Sequence, residues 1–285
     1  MALRINYNFE SVSAQRNLSG TQNSYARAIE QLSSGLRINK ASDDSAGLAV
    51  SEKLKNQVRG LNQAQRNAQD GISLLQTAEG ALNETHSILA RMRELAVQSS
   101  NDTLTNADRL HIQDEVNQLL SEVDRIAAST QFNNIALLNG AGQATGLQFH
   151  VGPNNIVAAS VDEVTFGFTS ASTTGLTITN LRTAGAQSMT TQSGANAAIS
   201  VLDTAIETVS TRRGAIGAMQ NRLTSTIASL GVASENTGAA NSRIRDADVA
   251  ASVSEMVRNQ ILQQSTMAVL AQANQAPQMA LQLLK

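Results

Sequence analysis

The residues of this chain that could carry acid–base, metal or nucleophilic chemistry are few and scattered. His86, His111 and His150 are its only histidines, and none belongs to an H-E-x-x-H pattern that would set two imidazoles on one helix face for zinc. There is no cysteine, which removes disulfides, thiolate metal sites and cysteine nucleophiles together. His111 flanks an apolar seam and His86 lies within a long helical pattern, so both read as surface residues of helices. Asp43 and Asp44 are adjacent carboxylates, but they stand just ahead of a predicted helix, where acids complement the helix dipole. Gly35 and Gly47 bracket the same loop without a G-x-x-x-x-G-K pattern, so no phosphate cradle is supported. The expectation is a non-catalytic protein with no catalytic, cofactor-binding or metal residues.

Composition points the same way. The formal net charge is −2 and aromatics make up 2 % with no Trp. That balance offers no basic footprint for nucleic acid and no material for a densely packed aromatic interior. The start, MALRINYNFESVSAQ, lacks the apolar stretch of a secretory signal, and no window is apolar enough to span a membrane. Neither nucleic-acid binding nor membrane insertion is expected, and any export is expected to proceed without a cleaved signal peptide.

The elements that would position these residues are long helices. One apolar series runs Leu54, Val58, Leu61, Ala68, Ile72, Leu75, Leu82 and then drifts by one position to Ile88, Met92 and Leu95. A second, Ile112, Val116, Leu119, Val123 and Ile126, reads as an a/d seam opened by Thr105-Asn-Ala-Asp108, a capping box with Asp in the third place. The third takes in Ile199, Leu202, Ile206, Val209, Ile216, Leu223, Ile227 and Leu230, with Arg213 and Gln220 as polar interruptions that could fix register. The fold class predicted is mainly α, a long antiparallel coiled-coil bundle with a small β-hairpin region.

That β region falls at about 130–190. Leu147-Gln-Phe-His-Val151 alternates with period two before the turn Gly152-Pro-Asn-Asn155, and further strands are predicted at 156–164, 165–168 and 176–178. The segment is too short for a core of its own and is expected to lie as a hairpin on the helices. The stretches 169–177 and 188–193 read as exposed loop, an ordinary solvated one being favoured over an O-glycosylated one.

The two ends are different in kind. Residues 259–285 carry seven glutamines and many apolar residues but no charge before Lys285. The N-terminal segment has Leu18, Tyr25, Ile29, Leu32 and Leu36 at helical spacing. Apolar surface of this kind needs a partner, whereas amides can be buried without the cost of a charge. Two such ends around a helical middle point to a subunit completed by its neighbours.

In this order the residues resemble a known family. Leu32-Ser-Ser-Gly-Leu-Arg-Ile-Asn39, Asp43-Asp-Ser-Ala-Gly-Leu48, Asn67-Ala-Gln-Asp-Gly-Ile-Ser73, Gln76-Thr-Ala-Glu-Gly80, Arg93-Glu-Leu-Ala-Val-Gln98, Asp124-Arg-Ile126 and Thr130-Gln-Phe-Asn133 are similar to the N-terminal part of bacterial flagellins. Ser242-Arg-Ile-Arg-Asp-Ala-Asp248, Ile261-Leu-Gln-Gln264, Ala271-Gln-Ala-Asn274 and Pro277-Gln278 resemble the family's C-terminal tail. Arg245 stands where the family usually has an acid and Val249 where an aromatic is common. The central segment is short, so the large outer domains are missing.

The resemblance implies a filament-forming motility protein exported to the extracellular bacterial flagellum. Residues 1–42 and 243–285 would pair as a terminal coiled coil at the filament core, and 43–242 would form the helical core domain. Leu18, Tyr25, Ile29, Leu32, Leu36, Val253, Val257, Ile261, Met267, Leu270 and Leu281 would then meet neighbouring subunits. The implied partners are other copies of the chain, an export chaperone, the filament cap, hook–filament junction proteins and host pattern-recognition receptors. The receptor segments implied are Arg91, Leu95 and Glu115 for the animal type and a stretch with Gly35 and Asp43 for the plant type. The alternatives are a hook–filament junction adaptor or a cell-surface homologue.

Overall fold

A computed structural model describes residues 7–140, 146–154, 162–182, 185 and 187–282, with no side chains given for 276–282. Five long helices dominate: α1 (Phe9–Ser34), α2 (Ser45–Ser99), α3 (Asn106–Ser129), α4 (Gln192–Arg245) and α5 (Val249–Gln282). Two short antiparallel pairs lie between α3 and α4 in sequence: β1 (Gln131–Phe132) with β2 (Ile135–Ala136), and β3 (Leu147–His150) with β4 (Glu163–Phe166). The chain divides into two compact units, one from the residues up to Val58 and from Glu235 onward, the other Arg59–Ser234. That division falls inside α2 and α4, whereas the sequence expectation set the boundaries near 42 and 243, where the helices break.

In the Arg59–Ser234 unit the buried face of α2 keeps a strict seven-residue repeat. Leu61, Ala68, Leu75, Leu82, Leu89 and Ala96 form one row; Ala64, Gly71, Ala78, Thr85, Met92 and Ser99 form the other. On α4, Ala195, Leu202, Val209, Ile216, Leu223 and Leu230 recur at the same interval. A 3.5-residue period keeps a seam facing its partner when helices wrap around one another. The expected drift to Ile88 is therefore absent: Leu89 is buried and Ile88 packs at its flank.

Two further seams are corrected in the same way. On α3 the buried series is Arg109, Ile112, Val116, Leu120, Val123 and Ala127, so Leu119 and Ile126 lie beside it rather than on it. From Arg109 to Ala127 this series follows 3.6 rather than 3.5 residues per turn, the period of a straight helix. On α4 the polar residue in the seam row is Arg212, not Arg213. Ile199, Ile206 and Ile227 are partly buried against the core, as is Ile72 on α2. The other predicted core residues Leu75, Ile112, Val116, Val123, Leu202, Val209 and Leu223 are buried in the main cluster and Leu61 in a smaller one, while Leu54 and Val58 are half-buried in the other unit.

Small residues on α2 admit the β-hairpin. A Cβ on Gly71 would stand 3.0 Å from the ring of Phe149 on β3, and one on Gly60 would stand 3.0 Å from Pro153. Asn133 and Asn134 both take positive φ between β1 and β2, the conformation a two-residue hairpin turn demands. The 176–178 segment forms a turn leading into a 3-10 helix (Thr179–Leu181), not a strand. Nor are the Ser/Thr stretches wholly exposed: Ala171, Thr173, Leu176, Ser188 and Met189 are buried. Much of the predicted 156–164 strand lies outside the described residues.

Polar side chains of α3 pin this middle segment. Buried Gln113 donates from Nε2 to the Leu181 carbonyl at 2.8 Å, while its Oε1 accepts from the Met189 amide at 2.6 Å and from Ser188 Oγ at 3.1 Å. Asp124 accepts from the Thr173 amide and hydroxyl and from Arg182 Nη2, at 2.8 to 3.0 Å. Arg109 donates to the Ser99 and Asn101 carbonyls and so shapes the α2–α3 turn, whose capping box at Thr105 and Asp108 is complete.

Replacing Gln113 with Leu is expected to lower stability by about 1–3 kcal/mol for each backbone group left unpaired. The readout is the urea midpoint at unchanged m-value; an unmoved midpoint would show that the side chain is dispensable. Gly80 is exposed in mid-helix, with nothing within 4 Å of the point where a Cβ would stand, and should behave oppositely. Gly80→Ala is expected to raise thermal stability by roughly 0.5–1 kcal/mol.

Candidate assembly surface

In the terminal unit, α1 and α5 pair antiparallel along a seam made mostly of small and polar residues. On α1 the residues facing inward are Ser11, Ala14, Leu18, Thr21, Tyr25, Ala28 and Leu32, again at alternating three and four. On α5 they are Ser252, Met256, Asn259, Gln263, Thr266, Leu270 and Ala273; every other residue of 249–275 is exposed. Asn8 Nδ2 donates to the Ala273 carbonyl at 2.8 Å, and Ser11 Oγ meets Asn274 Oδ1 at the same distance, so the start of α1 lies beside the far part of α5.

The large apolar residues of α5 point elsewhere. Val249, Val253, Val257 and Ile261 follow one another at four-residue steps, each turning about 40° further round the helix. The ridge therefore runs from one flank of the seam to the face opposite it, and Leu262 and Val269 lie on the other flank. Ile261 and Val269 are each 57 % exposed. The eleven interface residues read from the sequence thus separate into two sets. Leu18, Tyr25, Leu32 and Leu270 are half-buried within the chain's own helix pair, and Leu36 is half-buried in the strap described below; Ile29, Val253, Val257, Ile261 and Met267 face outward. The side chain of Leu281 lies outside the described residues. The sequence reading missed the seam itself because it followed only large residues; the heptad spacing of Ala14, Thr21, Ala28, Ser252, Asn259 and Thr266 was the available signal.

The near end of the helix pair is closed by a short strap. Gly35 caps α1 in the left-handed conformation with φ 69°, and its carbonyl accepts from the Ala247 amide. Leu36 bridges Asp246, the Arg37 amide donates to the Arg245 carbonyl, and the Arg37 guanidinium donates twice to the Ile244 carbonyl. Arg245, the departure from the family pattern, pairs with Glu52. Asp43 Oδ2 accepts from the Asn39 and Lys40 amides, and these hydrogen bonds, Lys40's foremost, hold its carboxyl below the ordinary 3.8. Asp44 caps α2 by accepting from the Gly47 amide. Gly35 and Asp43 therefore each have a structural task.

On the other unit, Arg91 Nε and Nη2 donate to Glu115 Oε1 at 3.1 and 3.0 Å, and Nη1 reaches Glu94. These groups are exposed, so water and salt screen the bridges and they add little to stability. Leu95 is different: it is 2 % exposed within the core, so of the three expected receptor contacts only Arg91 and Glu115 present surface. Among the described residues no group of three or more ligating side chains gathers, and no helix is long and apolar enough to cross a membrane.

Known proteins match this arrangement along nearly its whole length. Residues 5–143 match the bacterial flagellin N-terminal helical region and residues 199–284 the C-terminal helical region. The chain is similar to a flagellin of Halalkalibacterium halodurans, 48 % identical with 99 % of each chain covered. It is also similar to a flagellin of Bacillus subtilis, at 43 % identity over 99 % of this chain and 100 % of that one. A putative flagellar hook-associated protein from Vibrio parahaemolyticus shares the fold at a TM-score of 0.58 and 14 % identity, covering 72 % of this chain and all of the other. The chain belongs to the bacterial flagellin family. It is a structural, non-catalytic subunit of the flagellar filament, serving motility.

The Asp43 turn has a definite pH signature. A carboxyl held below its unfolded value stabilises the turn above that value and loses the effect as pH falls through the folded one. The Asn39 and Lys40 amide resonances are therefore expected to titrate below pH 3.8, the ordinary aspartate value. A midpoint at or above 3.8 would contradict the hydrogen-bonding described.

Proposed function

We propose that the chain polymerises by laying both flanks of α5 against neighbouring copies, while the small-residue seam holds α1 and α5 together within one subunit. The observation that carries this reading is the ridge Val249, Val253, Val257 and Ile261, which the chain's own fold leaves uncovered. Each large aliphatic residue fully buried in an assembly contributes about 1.5–3 kcal/mol. Residues 1–42 and 243–285 form the filament core, with 43–242 outside it. The match along 99 % of a flagellin favours a filament subunit over a junction adaptor or a cell-surface homologue. Export without a cleaved signal peptide, a dedicated chaperone, the filament cap and the hook–filament junction proteins belong to the same reading.

Purified chain added to sheared filament seeds is expected to elongate them, as seen by negative-stain electron microscopy. Ile261→Asp should abolish elongation while changing the stability of the free chain by about 0.5 kcal/mol or less, because the position is exposed. Leu270→Asp sits on the inner seam and should also weaken the α1–α5 pair. Filaments of normal length from Ile261→Asp would place the intersubunit contact elsewhere.

Host recognition is the second part of the proposal. Arg91 and Glu115, adjacent and half-exposed, form the animal receptor contact, with Leu95 supporting α2 from beneath. Arg91→Ala and Glu115→Ala are each expected to lower receptor signalling by the purified chain at unchanged helicity. An unchanged dose–response would exclude this surface. The plant-type segment with Gly35 and Asp43 would be read as an extended peptide, since both residues are committed to the strap and turn of the folded chain.

A further inference from the structure

Asn139 and Gly140 form the only asparagine–glycine pair in the chain. They stand shortly after β2 in irregular backbone, and both are exposed. Gly140 has φ 76°, in the left-handed region that side chains disfavour. Among the described residues its amide donates no hydrogen bond. The Gly140 nitrogen thus has neither a Cβ crowding it nor a carbonyl holding its N–H. A bond from it to Asn139 Cγ would close a five-membered ring, and such ring closures are favoured because both reacting atoms belong to one short segment.

Comparable steps in the chain lack one of these features. Asp70-Gly71 lies inside α2, where the Gly71 amide belongs to the helix ladder. Asn133 and Asn134 occupy the turn between β1 and β2, but the residues after them, Asn134 and Ile135, carry side chains that crowd the backbone nitrogen. The surroundings of Asn139 and Gly140 are firmly packed. Leu137 and Leu138 just before them are buried, and the Leu138 carbonyl accepts from the Ala171 amide at 2.8 Å. A Cβ on Gly140 would stand 2.9 Å from Ser170 Cβ, so there is little room for extra main-chain atoms.

We propose that Asn139 is a site of spontaneous covalent modification, deamidating through a cyclic imide with water as the only co-reactant. The Gly140 nitrogen loses its proton to solvent base and attacks Asn139 Cγ. The new N–C bond forms as the Cγ–Nδ2 bond breaks, and the amide nitrogen takes up a proton and leaves as ammonia. Water then opens the imide. Attack at the former side-chain carbonyl leaves an aspartate in an ordinary main chain, and attack at the main-chain carbonyl leaves an isoaspartate, whose main chain is longer by one methylene. Either product carries one more negative charge at neutral pH. The site belongs to the Arg59–Ser234 unit and does not draw on the polymerisation reading.

The test incubates the full, folded chain at neutral and at mildly alkaline pH. Peptide mass spectrometry then locates each amide-to-acid change, and a carboxyl methyltransferase specific for isoaspartate counts the longer link. Conversion at Asn139 is expected to exceed that at any other asparagine by about tenfold or more, since only Gly140 offers an uncrowded nitrogen. It should quicken as pH rises, because the attacking nitrogen must first lose its proton. Asn139→Gln, whose longer side chain would have to close a six-membered ring, should stay unmodified at unchanged helicity. In the isoaspartyl form the Ala171 amide should exchange faster, as the lengthened chain presses on Ser170. Absence of conversion in the folded chain, equal conversion at other asparagines, a rate that falls as pH rises, or equal modification of Asn139→Gln would each overturn the assignment.

Discussion

Alanine, serine and threonine carry too little apolar surface to hold two long helices together in water, and the terminal unit of this molecule depends on that shortage. The α1–α5 seam is built around Ala14, Ala28, Ser252 and Ala273, with only a few larger side chains between them. Burying one methylene contributes about 0.8 kcal/mol, whereas ordering one residue's backbone costs roughly 1–2 kcal/mol. A pair of helices joined in this way is marginal on its own. Large apolar residues that could stabilise it, Val257 and Ile261 among them, are turned away from α1 and left exposed, available to other chains.

The Arg59–Ser234 unit is built on the opposite plan. Its repeats place Leu75, Leu82 and Leu89 on α2 and Leu202, Val209, Ile216 and Leu223 on α4, all buried. The middle segment, which has little regular structure, is fixed to α3 by Gln113 and Asp124 instead of by a core of its own. These polar groups cost little when fully paired and a great deal when one partner is missing, so they specify a single placement of the segment.

The helical class, the small β region and the order of elements were legible in the sequence because apolar periodicity persists over many turns. The capping box at Thr105 was legible because its two side chains have no other reason to be so spaced. The errors share one cause. Choosing Leu119 over Leu120, Arg213 over Arg212, or Ile88 over Leu89 follows from taking the nearest large residue at each step, and one residue turns a helix face by about 100°. On α5 most of the large residues, Met256 and Leu270 excepted, point away from the intrachain seam, because there the seam uses mainly small and polar ones. The polar contacts of Gln113, Asp124 and Arg37 were not legible: their partners are backbone groups and a few distant side chains, Thr173, Arg182 and Ser188, that only the fold brings close.

Assembly of this kind requires α5 to be poorly held within one subunit and well held in the filament. The most direct measurement is amide hydrogen exchange along residues 249–275 in the free chain and in sheared filaments. The α5 amides are expected to exchange at least about 100-fold more slowly in filaments, while the α2 amides between Leu61 and Ser99 are protected in both states. Protection of α5 in the free chain equal to that in filaments would contradict this, because the helix pair would then be stable without its neighbours.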